Sequence, residues 1–168
     1  GSTFSVHLPK SVTTQIINGF VVYCDGQPFV LPLDRVLETM QVTAGQIESI
    51  IGKGRCVLRH DEMLTVVSLH AALSRKRERT SARDDETLVA VQGQRGRYAI
   101  VVDSVLGVRK LVLKTIHGLQ TCANFVTGAA LMGDGTIALV LDLEDLLMAG
   151  AGGAQRAAIS RPLNRRIA

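Results

Sequence analysis

The sequence predicts a mainly β protein that consists of two copies of one small β unit. Aliphatic runs of about four to eight residues, rich in Val and Ile and separated by Gly, Asp or Asn, recur along the chain and are typical of strands. Helical periodicity over a full helix length is hard to find, so the helices should be short. A pattern in the first half of the chain also returns in the second half.

The strands are predicted, in chain order, from these apolar runs. They are "IINGFVVYC", "PFVLPL", "RCVLRH", "MLTVVSL", "TLVAVQ", "RYAIVVD", "LVLKTI", "VTGAALM" and "TIALVLDL". The best candidates for short helices are "SLHAALS" and "DLEDLLM", each of which directly follows a strand.

The internal repeat is visible in two pairs of segments. "FVLPLDRVLE" and "YAIVVDSVLG" match at four positions with the same spacing. An aromatic residue (Phe29 or Tyr98) is followed by the same three residues, which are Asp34, Val36 and Leu37 in the first segment and Asp103, Val105 and Leu106 in the second. Further on, "VLRHDEMLTVVSLHAAL" and "ALMGDGTIALVLDLEDLL" align as hairpin, strand and short helix. Two units of about five short strands suggest paired small barrels, because barrel closure removes exposed sheet edges.

A charged segment divides the two units. Residues 74–86, "SRKRERTSARDDE", have no apolar side chain larger than Ala and carry many charges of both signs, so they are predicted to form a solvated connector. The connector separates barrel one, roughly residues 16–73, from barrel two, roughly residues 87–148. Residues 149–168 are small and basic and are predicted to form a flexible tail.

Composition excludes several classes of function. The net charge of +4 arises in the tail, because without its four arginines 15 basic side chains balance 15 acidic ones. A neutral body with only 4% aromatic residues argues against nucleic-acid binding. No stretch approaches the roughly 20 apolar residues that span a bilayer. Cys24, Cys56 and Cys122 are widely spaced and form no Cys-x-x-Cys pair, which indicates free thiols in a reducing cytoplasm.

Acidic residues near the end of the second unit have a structural interpretation. Asp134-Gly135 lies between two apolar runs and predicts a type I′ hairpin turn, which requires positive φ at both central residues. Asp142, Glu144 and Asp145 fall where a strand passes into a short helix, and carboxylates are favoured in a first helical turn. The sequence therefore predicts no metal site here.

The cluster His60, Asp61 and Glu62 invites a general-base interpretation, because a histidine stands beside two carboxylates. It occupies the repeat position of the turn at residues 133–135, however, which favours an exposed hairpin tip. No group of residues predicts catalysis, and no cofactor is expected. A small β-barrel enzyme or a nucleic-acid-binding module that uses this cluster or the basic part of the connector remains the alternative from another class.

The succession "GQPFVLPLDRVLETMQV", "VLRHDEMLTVVSLHAAL", "GRYAIVVDSVLGVRKLVLKTI" and "GAALMGDGTIALVLDLEDLL" resembles the CheW-like regulatory domain of the bacterial chemotaxis histidine kinase CheA. The resemblance extends over about residues 16–147 and assigns residues 11–148 to this domain. "GSTFSVHLP" resembles the end of the kinase's ATP-binding domain, so residues 1–10 are expected to be that end, or a tag, with a linker.

This resemblance implies two SH3-like, five-stranded barrels with short helices, and a regulatory scaffold without catalytic activity of its own. The implied function is to dock an ATP-dependent histidine kinase to the CheW adaptor and to chemoreceptor tips, and so to control autophosphorylation in two-component signalling. Other domains of the same kinase are implied partners; nucleic acid and direct membrane insertion are not. The expected location is cytoplasmic, with recruitment to receptor arrays. A stand-alone CheW-type adaptor is the alternative within the family.

Six residues are candidates for partner contacts. In the related adaptor, the regions that match "DRVLE" and "DSVLGV" flank a groove between the barrels, so the resemblance implies that Val36, Glu38, Val105 and Val108 face the receptor. Ordinary barrel core is the alternative for these four residues. In "ETMQV", Met40 and Val42 stand near polar neighbours, which is compatible with an edge that the adaptor partly buries.

Overall fold

The computed structural model describes residues 15–74, 85–114 and 124–150. The strands in these ranges are β1 (Gln15–Cys24), β2 (Gln27–Pro32), β3 (Val36–Thr43), β4 (Ile47–Ile50), β5 (Gly54–Arg59), β6 (Glu62–Ser68), β7 (Asp85–Gly93), β8 (Gly96–Val102), β9 (Ser104–Lys114), β10 (Val126–Leu131) and β11 (Ile137–Leu141). The predictions for residues 1–10, for most of the connector, for Cys122 and for the tail beyond residue 150 lie outside the described residues.

The helices are short, as predicted, and each follows a strand. Helix α1 (Leu69–Ser74) follows β6, and helix α2 (residues 143–150) follows β11. Two 3₁₀ turns, Leu33–Arg35 and Ala44–Gln46, flank β3. Helix α2 extends two residues into the predicted tail, where a Cβ atom on Gly150 would lie 2.2 Å from the Cγ1 atom of Val67. The boundary at residue 149 was therefore placed too early.

The strands form a closed barrel and a second, six-stranded sheet. The barrel has the order β1-β2-β11-β10-β9, and the second sheet has the order β3-β7-β8-β6-β5-β4. The mainly β fold class is thus confirmed. One of the two expected five-stranded barrels is present in that form, whereas the other unit carries an additional edge strand, β4, and is a six-stranded sheet.

The prediction that each unit is a continuous half of the chain is wrong. The barrel takes β1 and β2 from the first half and β9, β10 and β11 from the second half. The second sheet takes β7 and β8 from the second half and the remaining strands from the first. Parallel pairing between β2 and β11, and between β6 and β8, joins the two halves. Each repeat therefore completes the sheet of the other.

Strand register supports the repeat residue by residue. Leu139 lies opposite Phe29 in the barrel, and Thr65 lies opposite Tyr98 in the second sheet. Phe29 and Tyr98 are repeat equivalents, so the two parallel contacts are the same contact made twice. The register shifts in β3 and β9 also fall at equivalent positions, beside Val36 in one and beside Val105 in the other.

Three apolar clusters form the core. The largest lies between the two sheets and includes Phe20, Phe29, Ile100, Leu141 and Leu146. A second cluster fills the interior of the barrel. The third lies on the inward face of the second sheet and is called its interior cluster here. Inside the barrel, a side chain at residue 19 would force its neighbours to move, because a Cβ atom there would lie 2.4 Å from a methyl carbon of Val30 and 2.8 Å from one of Leu111.

Two hairpin turns contain residues with positive φ, as tight hairpin turns require, but the positions of these residues differ in part from the prediction. His60 and Asp61, with φ of 48° and 61°, form the two-residue connection of β5 and β6. The exposed tip predicted for this cluster is therefore confirmed. The turn at Asp134-Gly135 is a hairpin, but not type I′: the loop has three residues, and only Gly135 has positive φ. The extra residue moves the left-handed position to the end of the loop.

Candidate interaction surfaces

A row of aliphatic side chains crosses the outer face of the barrel. Cross-strand pairing places Ile16 opposite Val112, Val112 opposite Leu131, and Leu131 opposite Ile137. Directly paired residues point to the same face of a sheet, so these four residues, called the barrel row here, form one line across β1, β9, β10 and β11. Ile16 is 68% exposed, Ile137 61% and Leu131 37%. Contiguous exposed aliphatic surface of this kind is a candidate contact site for another protein.

The second sheet has a smaller version of this surface. Leu58 and Met63 are directly paired on β5 and β6, and both are exposed. They occupy the repeat positions of Leu131 and Ile137. The repeat equivalents of Ile16 and Val112 are the polar residues Asp85 and Thr43, so the row of four aliphatic residues is confined to the barrel.

An open cleft lies on the second sheet, where β3 approaches the β5–β6 turn. Its volume is about 310 Å³, and its floor is formed by Leu64 and Ala90. Charged side chains from four strands (β3, β5, β6 and β8), together with His60 of the turn, line its rim. The carboxylate of Glu38 lies 3.1 Å from Nη2 of Arg59 and 3.2 Å from Nε2 of His60.

The electrostatics of this rim are those of satisfied ion pairs. Hydrogen bonds donated by Arg59, and then the charges of Arg59 and His60, hold the pKa of Glu38 below its ordinary value, although partial burial opposes the shift. The same contact raises the pKa of Arg59. On the opposite side, Nη1 of Arg97 lies 2.8 Å from a carboxylate oxygen of Glu62. The charges therefore rim the cleft in pairs of opposite sign.

The four predicted receptor-facing residues lie in different environments. Val36 and Val105 are partly buried against the core between the sheets, one from each sheet. Glu38 lines the cleft. Val108 is 49% exposed on β9, directly opposite Phe20 of that core. Val36 and Val105 are thus brought to the border between the sheets, and their contact with a receptor stays a prediction.

Met40 and Val42 lie on an edge strand, as expected, but their side chains point into the protein. Met40 is only 8% exposed and Val42 only 6%, and both belong to the interior cluster of the second sheet. β3 alternates buried and exposed residues, so the outward-facing positions beside them are Thr39 and Gln41. The structure corrects the expected placement: these two residues are core residues, and their role in adaptor docking stays a prediction.

The exposed residues of the barrel row were missed by the sequence interpretation. Leu131 is the last residue of β10 and Ile137 the first of β11, and an apolar run in a strand has both an inward and an outward face. The sequence signal that could have found them is the alternation of side chains along a strand. Ala130 and Ala138 face inward, so their neighbours Leu131 and Ile137 face outward. Only the pairing of β1, β9, β10 and β11 shows that the outward residues are in line.

Groups that could carry chemistry are sparse in the described residues. Burial, with a smaller effect of the nearby carboxylates of Asp103 and Asp25, raises the pKa of the Cys24 thiol to about 12. Residues 15–74, 85–114 and 124–150 contain no cluster of three or more potential metal-ligating side chains. None of the helices in these ranges has the length and apolar character needed to cross a membrane. The exposed apolar faces are the most prominent candidates for function.

Exposed aliphatic side chains on both sheets make this β module a candidate for binding another protein. Residues 18–150 match the family model described as a CheW-like domain, and the chain belongs to this family. The scaffolding protein TtCheW from Thermoanaerobacter tengcongensis has a similar fold, with a TM-score of 0.64 over 77% of this chain and 90% of that protein. Its sequence identity of 16% supports the likeness of the fold alone.

Relatives by sequence are chemotaxis proteins. The chain is 28% identical over 152 residues to chemotaxis protein CheA of Rhizobium meliloti, and 29% identical over 160 residues to chemotaxis protein CheA of Salmonella typhimurium. These alignments include 90% and 95% of this chain but only 20% and 23% of the relatives. The chain spans about a fifth of their length, and the matched part is a CheW-like domain of chemotaxis signalling, not a kinase domain.

Proposed function

We propose that this chain is a scaffold domain that binds an adaptor of the CheW type through the barrel row and a chemoreceptor tip near the border between the sheets. The observation that carries this proposal is the barrel row, since three of its four side chains are more than a third exposed although they are aliphatic. Burial of exposed aliphatic surface contributes roughly 25 cal/mol per Å² to association. A partner on this face would bury side chains that water now contacts.

Two forms of the scaffold remain, and different observations support each. Alignment to CheA proteins over about nine-tenths of this chain favours a regulatory domain of a chemotaxis histidine kinase. Likeness of fold to a scaffolding CheW protein, of which the chain covers 90%, is compatible with a stand-alone adaptor. The reading frame that precedes Thr3 distinguishes them, because a kinase carries nucleotide-binding motifs there and an adaptor does not.

Receptor contact is the second part of the proposal. Val36 and Val105 approach the border between the sheets from the two repeats, and Val108 adds an exposed side chain on β9. Glu38 contributes a carboxylate that already contacts the guanidinium of Arg59 and the imidazole of His60. A receptor tip at this border would place the domain at receptor arrays in the cytoplasm, where the state of the receptor could control an associated kinase.

Calorimetric titration of the chain with the CheW-type adaptor of the same organism tests the docking face. Ile137→Asp puts a charge into the barrel row and should weaken binding at least tenfold, because the contact would bury an unpaired carboxylate. Met63→Asp is the matched control, because Met63 is the exposed repeat equivalent on the second sheet. Both positions are exposed, so the variants should unfold within a few degrees of the unmodified chain.

Each outcome bears on a different part of the proposal. Loss of binding in Ile137→Asp alone supports the barrel row as the docking face. Loss in Met63→Asp alone would move the adaptor to the second sheet and overturn this assignment. If the folded, unmodified chain binds neither the adaptor nor a receptor-tip peptide, the scaffold function itself is wrong. Val108→Asp, titrated with the receptor-tip peptide, tests the second contact separately.

A further inference from the structure

Two lysines border the barrel row on its own face. Side chains alternate along a strand, so Lys110 and Lys114 of β9 stand on the same side as Val112, one before it and one after it. Both lysines are exposed. Within the described ranges, no ion pair joins either amine to an acidic side chain. The row is thus an apolar surface with positive charge on two sides.

Two further charged residues lie near the row. Asp134, in the loop between Leu131 and Ile137, keeps its negative charge, but its carboxylate faces its own loop, where it accepts a hydrogen bond from the backbone N–H of Thr136 at 2.9 Å, and it forms no ion pair with Lys110 or Lys114. Arg109 has the opposite parity on β9 and therefore faces away from the row. Its guanidinium donates a hydrogen bond to the carbonyl oxygen of Val108 at 2.9 Å.

We propose that the barrel row selects a partner surface with an aliphatic centre bordered by carboxylates. This inference rests on the proposed function, because it names the chemistry of the partner at the same face. The apolar centre supplies affinity, whereas charges at the rim determine which partner is accepted and how fast it associates. A partner with lysine or arginine at its rim would be rejected by repulsion from the two amines. The body of the chain is neutral, so this local charge decides the selection.

The test compares two charge-reversal variants of the full chain in titrations with the CheW-type adaptor. Lys110→Glu combined with Lys114→Glu should weaken binding roughly tenfold at about 0.05 M salt, because two favourable rim contacts become repulsive. At about 0.5 M salt the difference should largely disappear through screening. Arg109→Glu changes the charge of the same strand on its other face and should leave affinity within about twofold.

Three results would overturn the inference. The first is adaptor binding by the double lysine variant as tight as by the unmodified chain at low salt, and the second is an equal loss in Arg109→Glu. The third is salt-dependent self-association of the chain alone in sedimentation experiments, abolished in the lysine variant, since the occupant would then be a second copy. If Ile137→Asp abolishes adaptor binding but the lysine variant does not, only this inference fails. If neither variant affects binding, the docking face is wrong as well.

Discussion

Truncation of Met40 to alanine is predicted to destabilise the protein strongly. Met40 is 8% exposed and packs inside the second sheet with neighbours from β5, β6, β7 and β8. Replacement by alanine removes three heavy atoms from this interior and leaves a cavity. Buried Met→Ala substitutions cost about 2–5 kcal/mol. Because the side chain is almost fully enclosed, we expect a loss of about 3 kcal/mol in the free energy of unfolding.

Urea denaturation measures this loss directly. With a slope of about 2 kcal/mol per molar urea, a loss of 3 kcal/mol moves the midpoint down by about 1.5 M. Gln41→Ala is the matched control, since Gln41 is the next residue of β3 and its side chain is exposed. The control should stay within about 0.5 kcal/mol of the unmodified chain.

The result that would refute this reasoning is specific. If Met40→Ala unfolds at the same urea concentration as Gln41→Ala, Met40 does not contribute to the core of the folded protein. If that variant has also lost affinity for the adaptor, Met40 would be a docking residue, as the sequence interpretation expected. A large loss of stability, with normal adaptor binding by the folded fraction, assigns Met40 to the core alone.

Three further predictions concern a turn, an ion pair and a thiol. Asp61→Gly should raise the free energy of unfolding by roughly 1 kcal/mol, because glycine adopts the left-handed conformation without steric cost; an unchanged urea midpoint would contradict this. The lowered pKa of Glu38 means that its ion pair stabilises the fold above the ordinary glutamate pKa of 4.5 and is lost as the pH falls through the lower folded value. Glu38→Gln should therefore flatten the acid side of the stability profile, and an unaltered profile would show that the pair contributes nothing. Cys24, with a pKa of about 12, should resist iodoacetamide at pH 8 until urea unfolds the chain, as peptide mass spectrometry can show; rapid labelling of the native protein would mean that this thiol is accessible.

The repeat was the part of the fold that sequence alone predicted best. Phe29 and Tyr98 were aligned from spacing, and the structure places each of them in an equivalent parallel contact. Turn chemistry was predicted less well, because Asp134-Gly135 was assigned to a two-residue loop. Loop length depends on which residues of β10 and β11 pair, and a local pattern does not contain that information.

The candidate surface was predictable only in part. Glu38 was predicted to face the receptor and lines a cleft of the second sheet, so its receptor contact stays a prediction, whereas Met40 and Val42 were expected at the surface and lie inside. Alternation along β3 shows which residues share a face, yet it does not say which face is inward. That choice depends on the other strands of the second sheet, which come from both halves of the chain.

What the sequence determined by itself is local and periodic: the strand runs, the short helices, the hairpin tip at His60 and the duplication of one β unit. These features follow from propensity, turn geometry and spacing along the chain, which need no distant partner. Tertiary structure alone decided that the two repeats exchange strands and that Ile16 and Ile137 come into one row. They are more than 100 positions apart, and only the closure of the barrel, which pairs every edge strand, brings their side chains onto the same face.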